Sequence, residues 1–190
     1  MSYTPIKKWL LTLLLILPGV SLAAVPTWKI DPTQSSISFT ATQNGAPVAG
    51  KFTNFSGDIN YDPQQLDKSN VKIIIETGSV TDSYNQLSDT LKTPDWFNTK
   101  VFPEAVFQST SFVKTGDKTF EAKGNLTIRD KTVPVTLAFT QEEYTPTKAL
   151  MKGSTTIKRT AFGVGQGEWA DTKTVKDDVV IDFVVAGTSK

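Results

Sequence analysis

The stretch FEAKGNLTIRDKTVPVTLAF, residues 120–139, decides the fold. Phe120, Ala122, Gly124, Leu126 and Ile128 occupy alternate positions, with Glu121, Lys123, Asn125 and Thr127 between them. Past a polar turn at Arg129, Asp130 and Lys131 the alternation resumes through Val133, Val135, Leu137 and Phe139. Successive side chains of a strand point to opposite faces, so this period of two predicts an antiparallel hairpin with one dry face and one wet face. Pro134 has no N–H to give a ladder, which predicts a bulge or an unpaired position there.

The same rhythm runs outward from the hairpin. SISFTA puts Ile37, Phe39 and Ala41 on one face, and further strands are predicted at 57–61, 71–76, 105–113, 150–158 and 179–185. In the last, Val179, Ile181, Phe183 and Val185 share a face while Asp182 points away. A sheet of that many antiparallel strands curls and closes, which removes its exposed edges. One segment departs from period two. SYNQLSDTLK, residues 83–92, spaces Tyr84, Leu87 and Leu91 as a helix does, with Ser83 and Gln86 as a capping box and Pro94 as a stop. Asp95 can cap a second short turn carrying Trp96 and Phe97, and Pro103 disfavours helix at Phe102. The expected fold class is therefore all-β: an extended antiparallel β-barrel with a short α-helical lid.

The N-terminus reads differently. MSYTPIKK supplies two lysines, WLLTLLLIL is a short apolar run, and PGVSLAA ends in small residues, the order of a secretory signal peptide cut between Ala23 and Ala24. The apolar run is well short of the roughly 20 residues of a spanning helix. The expected organisation is a signal peptide at 1–23 and a single domain at 24–190, with no stable membrane anchor after cleavage. Loss of Lys7 and Lys8 leaves 18 basic against 19 acidic side chains, a net charge of −1. With scattered lysines and arginine only at Arg129 and Arg159, no basic face is available for nucleic acid. Cysteine and histidine are both absent, which removes disulfides, thiol nucleophiles, the usual zinc sites and the Ser-His-Asp triad.

Candidate sites are few. Glu142–Glu143 and Asp177–Asp178 are adjacent in sequence, so their side chains diverge on a strand, whereas glycoside hydrolysis needs carboxylates facing each other across a cleft. Asp89 and Asp95 read as a surface charge and a cap. Gly163, Gly165 and Gly167 follow no buried parallel strand, which makes a phosphate-binding loop a poor reading. Arg159 stands at a strand end, placed either to meet a ligand's polar head or to pair with a carboxylate at the rim. The apolar stripes admit two readings as well, because a closed sheet of about eight strands is filled by side chains or holds one small ligand.

The segments DPTQSSISF, GKFTNFSGDI, DWFNTKVFPEAVFQST, GNLTIRDKTVPV and KRTAFGVG, in that order, resemble the YceI-like family of exported bacterial proteins. The resemblance implies a lipocalin-like barrel with a hydrophobic tunnel for polyisoprenoids such as isoprenoid-quinone tails, and no enzymatic activity. It assigns the tunnel wall to Phe39, Phe52, Phe55, Ile73, Ile75, Phe107, Leu126, Ile128, Leu137 and Phe183, and the lid to Leu87, Leu91, Trp96 and Phe97. Arg159 joins them as a ligand contact. The expected function is a soluble periplasmic carrier or store of an isoprenoid lipid or quinone, with no other cofactor or metal, and with homodimerisation left open. The competing readings are a hydrolase acting on envelope sugars or lipids and an envelope-stress adaptor working through its outer surface. The N-terminal reading has a direct check: protein recovered from an exporting bacterium should begin at Ala24 by intact mass, and retention of Met1 would overturn it.

Overall fold

The computed structural model describes residues 24–82 and 86–189. The predicted signal peptide, and Ser83 and Tyr84 of the predicted helix, lie outside the described residues. The strands are β1 (Thr27–Ile30), β2 (Ser36–Gln43), β3 (Ala46–Phe52), β4 (Phe55–Asn60), β5 (Asn70–Glu76), β6 (Val80–Thr81), β7 (Glu104–Lys114), β8 (Thr119–Ile128), β9 (Lys131–Tyr144), β10 (Lys148–Lys158) and β11 (Asp178–Ser189). A single α-helix is described, α1 (Gln86–Leu91). Among the described residues no helix is long and apolar enough to cross a membrane.

Three pairs of strands lie end to end as bent single strands. β1 and β2 both run along β11, with Trp28 opposite Ser189 and Phe39 opposite Ile181. β4 pairs with β1 and β5, while β3, which precedes it, pairs with β2 and β6. From there the order is β5, β7, β8, β9, β10, β11, and β11 returns to β1. The result is an 8-stranded closed antiparallel barrel. The predicted inward faces are the observed ones: Phe120, Ala122 and Ile128 are buried, and Lys123 and Asn125 are exposed.

Three strands were not legible in sequence. β3 reads APVAGKF, with too few large apolar residues to show a period. Its partner signal was present, because Asn44 and Gly45 have φ of 50° and 80°, the left-handed pair that closes a two-residue hairpin. β1 and β6 are too short to alternate. Pro134 sits opposite Asn125 with no break in the β8–β9 register, so no bulge forms. It occupies the part of β9 beyond the pairing with β10, which covers 138–144, the unpaired position that a missing N–H tolerates. The described part of the helix ends at Leu91, ahead of Pro94, and Asp82 accepts the Ser88 N–H.

The end of the barrel away from α1 is filled by rings. Tyr61 meets Phe112, Phe120, Phe139 and Tyr144 at centroid distances of 5.6, 6.2, 6.1 and 6.1 Å, mostly edge to face, the arrangement ring quadrupoles favour. Trp28 closes the cluster, donating its indole N–H to the Tyr61 carbonyl at 2.9 Å and lying 5.4 Å from Tyr144. Burial pushes the Tyr144 hydroxyl up to about 12, with Asp62 adding to it, and pushes Tyr61 higher still. Both shifts favour the protonated phenol in the folded state. Their contribution to stability is fully present below the free-tyrosine value near 10 and is lost as pH rises through the folded values. Urea midpoints should therefore fall between pH 10 and 12, and the fall should be shallower in Tyr144→Phe. An unchanged slope in that variant would remove Tyr144 from the account.

Candidate functional site

Above the ring cluster the barrel is hollow. A lower cavity of about 170 Å³ and an upper one of about 540 Å³ share Ile37, Ile75, Leu126 and Ile181, which lie between them. Phe55, Ile73, Phe107, Leu137 and Phe183 line the lower chamber, with Tyr61 and Phe139 below them. Phe39, Phe52 and Ile128 line the upper chamber from the strands, Leu87 and Leu91 from α1, and Trp96 and Phe97 from the turn after it. Ile75 and Leu126 border both. Every residue that the sequence assigned to wall or lid thus borders the hollow, because strand alternation and helical spacing each put one set of side chains on the enclosed side.

Space remains because some wall rings lie flat. Phe39 is paired across the ladder with Gly50, and Phe183 with Gly153. In each case a Cβ on the glycine would collide with the ring. The missing side chain lets the ring lie against the wall instead of pointing at the axis.

The lid is tied down from three sides. The Phe97 N–H donates to the Leu91 carbonyl at 2.9 Å, joining the turn to α1. The Asp95 carbonyl accepts from the N–H groups of Gly165 and Gln166, both at 2.8 Å. Arg129, at the β8–β9 turn with φ of 57°, donates to the carbonyls of Pro94, at 2.7 Å, and Trp96, and its guanidinium lies 5.5 Å over the Phe102 ring. Rings then line up along the chamber: Phe39 to Phe52 at 5.8 Å, Phe52 to Phe97 at 5.7 Å, and Trp96 to Trp169 at 5.6 Å.

Arg159 borders the upper chamber with its side-chain donors turned to backbone carbonyls, and it makes no ion pair with a carboxylate among the described residues. It is 2% exposed. Nε donates to the Lys176 carbonyl at 3.1 Å, Nη1 to Val164 and Gly165 at 3.0 Å each, and Nη2 to Trp169 at 2.8 Å and Val175 at 2.7 Å. All five N–H groups are thereby spent on backbone carbonyls of the segment 164–176, and the residue is the hub on which that segment is wound. Burial pushes its pKa down, and the nearby Asp177 carboxylate pushes it back up. Gly163, Gly165 and Gly167, with φ of 67°, 78° and 62°, supply the left-handed corners of this winding. The segment contributes Val164, Trp169 and Val175 to the chamber, and Phe162 just before it does the same. Sequence reading missed them because an aperiodic glycine-rich loop carries no facial signal.

The carboxylates are elsewhere. Asp177 accepts from the Thr160 N–H and hydroxyl, Asp178 pairs with Lys158, and Glu142, Glu143, Asp89 and Asp95 are exposed. None of them lines either cavity. Among the described residues no group of three His, Cys, Asp or Glu side chains could hold a metal ion.

A family model described as a YceI-like domain matches residues 28–186. A UPF0312 protein of Shewanella putrefaciens is 30% identical over 97% of this chain and 100% of its own length. The crystal structure of Burkholderia cenocepacia BcnA superposes with a TM-score of 0.79 at 31% identity, over 83% of this chain and 98% of that one. A polyisoprenoid-binding domain from Saccharophagus degradans, implicated in plant cell wall breakdown, shares the fold with a TM-score of 0.71 at 13% identity, over 87% and 99% of the two chains.

Replacing Arg159 with lysine keeps the charge and forfeits the fork that reaches five carbonyls. Buried acceptors left unpaired cost about 1–3 kcal/mol each before relaxation. Arg159→Lys should therefore lower unfolding stability by about 3 kcal/mol or more in urea titrations. A loss within about 0.5 kcal/mol, the usual range for surface substitutions, would show that the winding does not depend on the fork.

Proposed function

Because the chain belongs to the YceI-like family, we propose that it is a lipid-binding protein, not an enzyme, whose barrel holds a polyisoprenoid chain. The observation that carries this reading is the hollow itself: two adjacent cavities walled mostly by Phe, Ile, Leu and Val, with no carboxylate of the described residues in either lining. An apolar chain needs no partner from such walls. Its transfer from water contributes about 0.8 kcal/mol per buried CH₂, so a few isoprene units suffice for tight binding without a charged contact. The description of the Saccharophagus degradans domain as polyisoprenoid-binding supports the same ligand class.

In this proposal the ligand is an isoprenoid lipid of quinone type, and the protein carries or stores it in the periplasm after signal cleavage. A hydrolase would need a carboxylate pair or an activated serine facing the ligand, and the carboxylates sit on the outside or cap turns. An adaptor would present a contiguous apolar patch. The exposed large hydrophobics among the described residues are Val101, Val113 and Val180, on three separate segments.

Organic extracts of protein purified from its native host should contain a prenylated lipid by mass spectrometry. Extracts free of lipid, from protein whose barrel also fails to take up added prenyl lipid, would end the proposal. Leu87→Ala combined with Phe97→Ala strips lid contacts from the upper chamber and should weaken retention by about tenfold or more. The same pair leaves Trp96 and the Arg129 bonds in place, so the melting temperature should move less than retention does. Full retention in that double variant would remove both residues from the lid.

A further inference from the structure

The base of the lower cavity is shaped by an irregularity in β7. That strand pairs with β8 as Ser109 against Gly124 and then Ser111 against Lys123, so Thr110 is an extra residue, a β-bulge. Up to the bulge the inward positions are odd-numbered, with Ala105, Phe107 and Ser109 buried. Past it the phase is reversed. Phe112 turns inward opposite Ala122 and lines the lower cavity, and Val113 is left 41% exposed. An uninterrupted strand would have done the opposite, turning Val113 in and Phe112 out.

The bulge is held by its own side chains. Regular pairing of β5 with β7 stops at Lys72 against Gln108, and the next β5 donor, the Val71 N–H, goes to the Ser109 hydroxyl at 2.8 Å. The Thr110 hydroxyl donates to the Lys123 carbonyl at 3.1 Å. An exposed valine and an interrupted ladder both cost stability, and a bulge of this kind serves to re-aim a side chain. The side chain re-aimed here is the Phe112 ring.

This ring is placed unlike the wall rings above it. Phe107, higher on the same strand, lies against Gly124 as Phe39 and Phe183 lie against their glycines: a Cβ there would collide with it. Phe112 instead has Ala122 opposite, where a methyl occupies the place a glycine would leave empty. Its ring stands 5.6 Å from Tyr61 and 6.5 Å from Phe139. These three rings border the base of the cavity. Tyr61 and Phe139 are 4% and 9% exposed, whereas Phe112 is half-buried, the least enclosed of the three. It is therefore the one that can be shortened with the smallest loss of packing.

We propose that Phe112 is the stop of the hollow, the residue that sets how long a prenyl chain the barrel accepts. This rests on the reading of the barrel as a polyisoprenoid site and specifies which lengths of that class it takes. A chain up to the limit has its carbons out of water. A longer one leaves part of itself outside, and every carbon left outside forgoes its burial.

The test offers delipidated mature protein an equimolar mixture of linear prenols, from geraniol to solanesol, in phosphatidylcholine vesicles. The lengths recovered with the protein after the vesicles are removed are read by mass spectrometry. The bilayer shelters every length, so the share retained reports fit to the barrel. Wild-type protein should retain prenols up to a limiting length, with a fall of about tenfold or more for each isoprene unit beyond it. Phe112→Ala should move that limit to longer chains by about one unit or more, and Phe112→Leu should move it in the same direction. Val113→Ala, at the outward neighbour, should leave the limit where it is. If Phe112→Ala fails to fold, Phe112→Leu, which keeps an apolar side chain at the site, decides. The same limit in wild type and in the folded Phe112 variants overturns the stop while leaving the barrel reading intact, as does a wild type that retains all lengths alike. An equal shift in Val113→Ala traces the effect to a loosened β7 and overturns the stop as well. A wild type that retains no prenol overturns this proposal and the polyisoprenoid reading together.

Discussion

The pairing of β1 with β11, Trp28 against Ser189 through Ile30 against Gly187, is the constraint on which the rest of the molecule depends. It joins the two ends of the sheet, so every backbone N–H and C=O along the seam is offered a partner and no long edge is left open to solvent or to another chain. Closure also converts alternation into enclosure. Once the sheet is a cylinder, every second residue faces an interior that water does not fill, and apolar side chains there gain by being removed from it. Trp28 adds to the seam by reaching across to the Tyr61 carbonyl, so the residue that starts the sheet also anchors the ring cluster at its base.

What the enclosed space becomes is decided by the size and direction of the side chains along the axis. At one end Tyr61, Phe112, Phe120 and Phe139 meet ring against ring. In the middle four branched aliphatic residues, Ile37, Ile75, Leu126 and Ile181, border both cavities. At the other end Phe39 lies against Gly50 and the width is kept. A chain that enters from the lid end meets the larger cavity first, and the free energy of its binding comes from apolar area.

The chain's two arginines do related work at that mouth. Arg129 donates to the carbonyls of Pro94 and Trp96, and Arg159 to five carbonyls of the segment 164–176. Irregular backbone that packs over a hollow cannot pair its carbonyls by ladder or helix, and an unpaired buried carbonyl is costly. A planar fork of five donors meets several such carbonyls at once, which a lysine cannot. The two segments are also joined directly, Asp95 to Gly165 and Gln166, so the lid turn and the wound segment form one fixed cover.

The alternation along the predicted strands, longest in residues 120–139, by itself determined that the chain is built of antiparallel strands with one apolar face, because a period of two is a local property of the strand. The short helix before Pro94 was legible for the same reason, as a change of period. The sequence did not determine β3, whose small residues carry no pattern, nor the contribution of Val164, Trp169 and Val175, which reach the chamber only because Arg159 winds their loop around itself. Arg159 was visible as a lone cation beside a strand end. Its role is set by carbonyls 5 to 17 residues further along the chain, and no spacing rule brings those together. Tertiary structure alone decided that opposing walls stop short of one another, since a stripe of Phe, Ile and Leu reads the same whether its side chains meet at the axis or border a void.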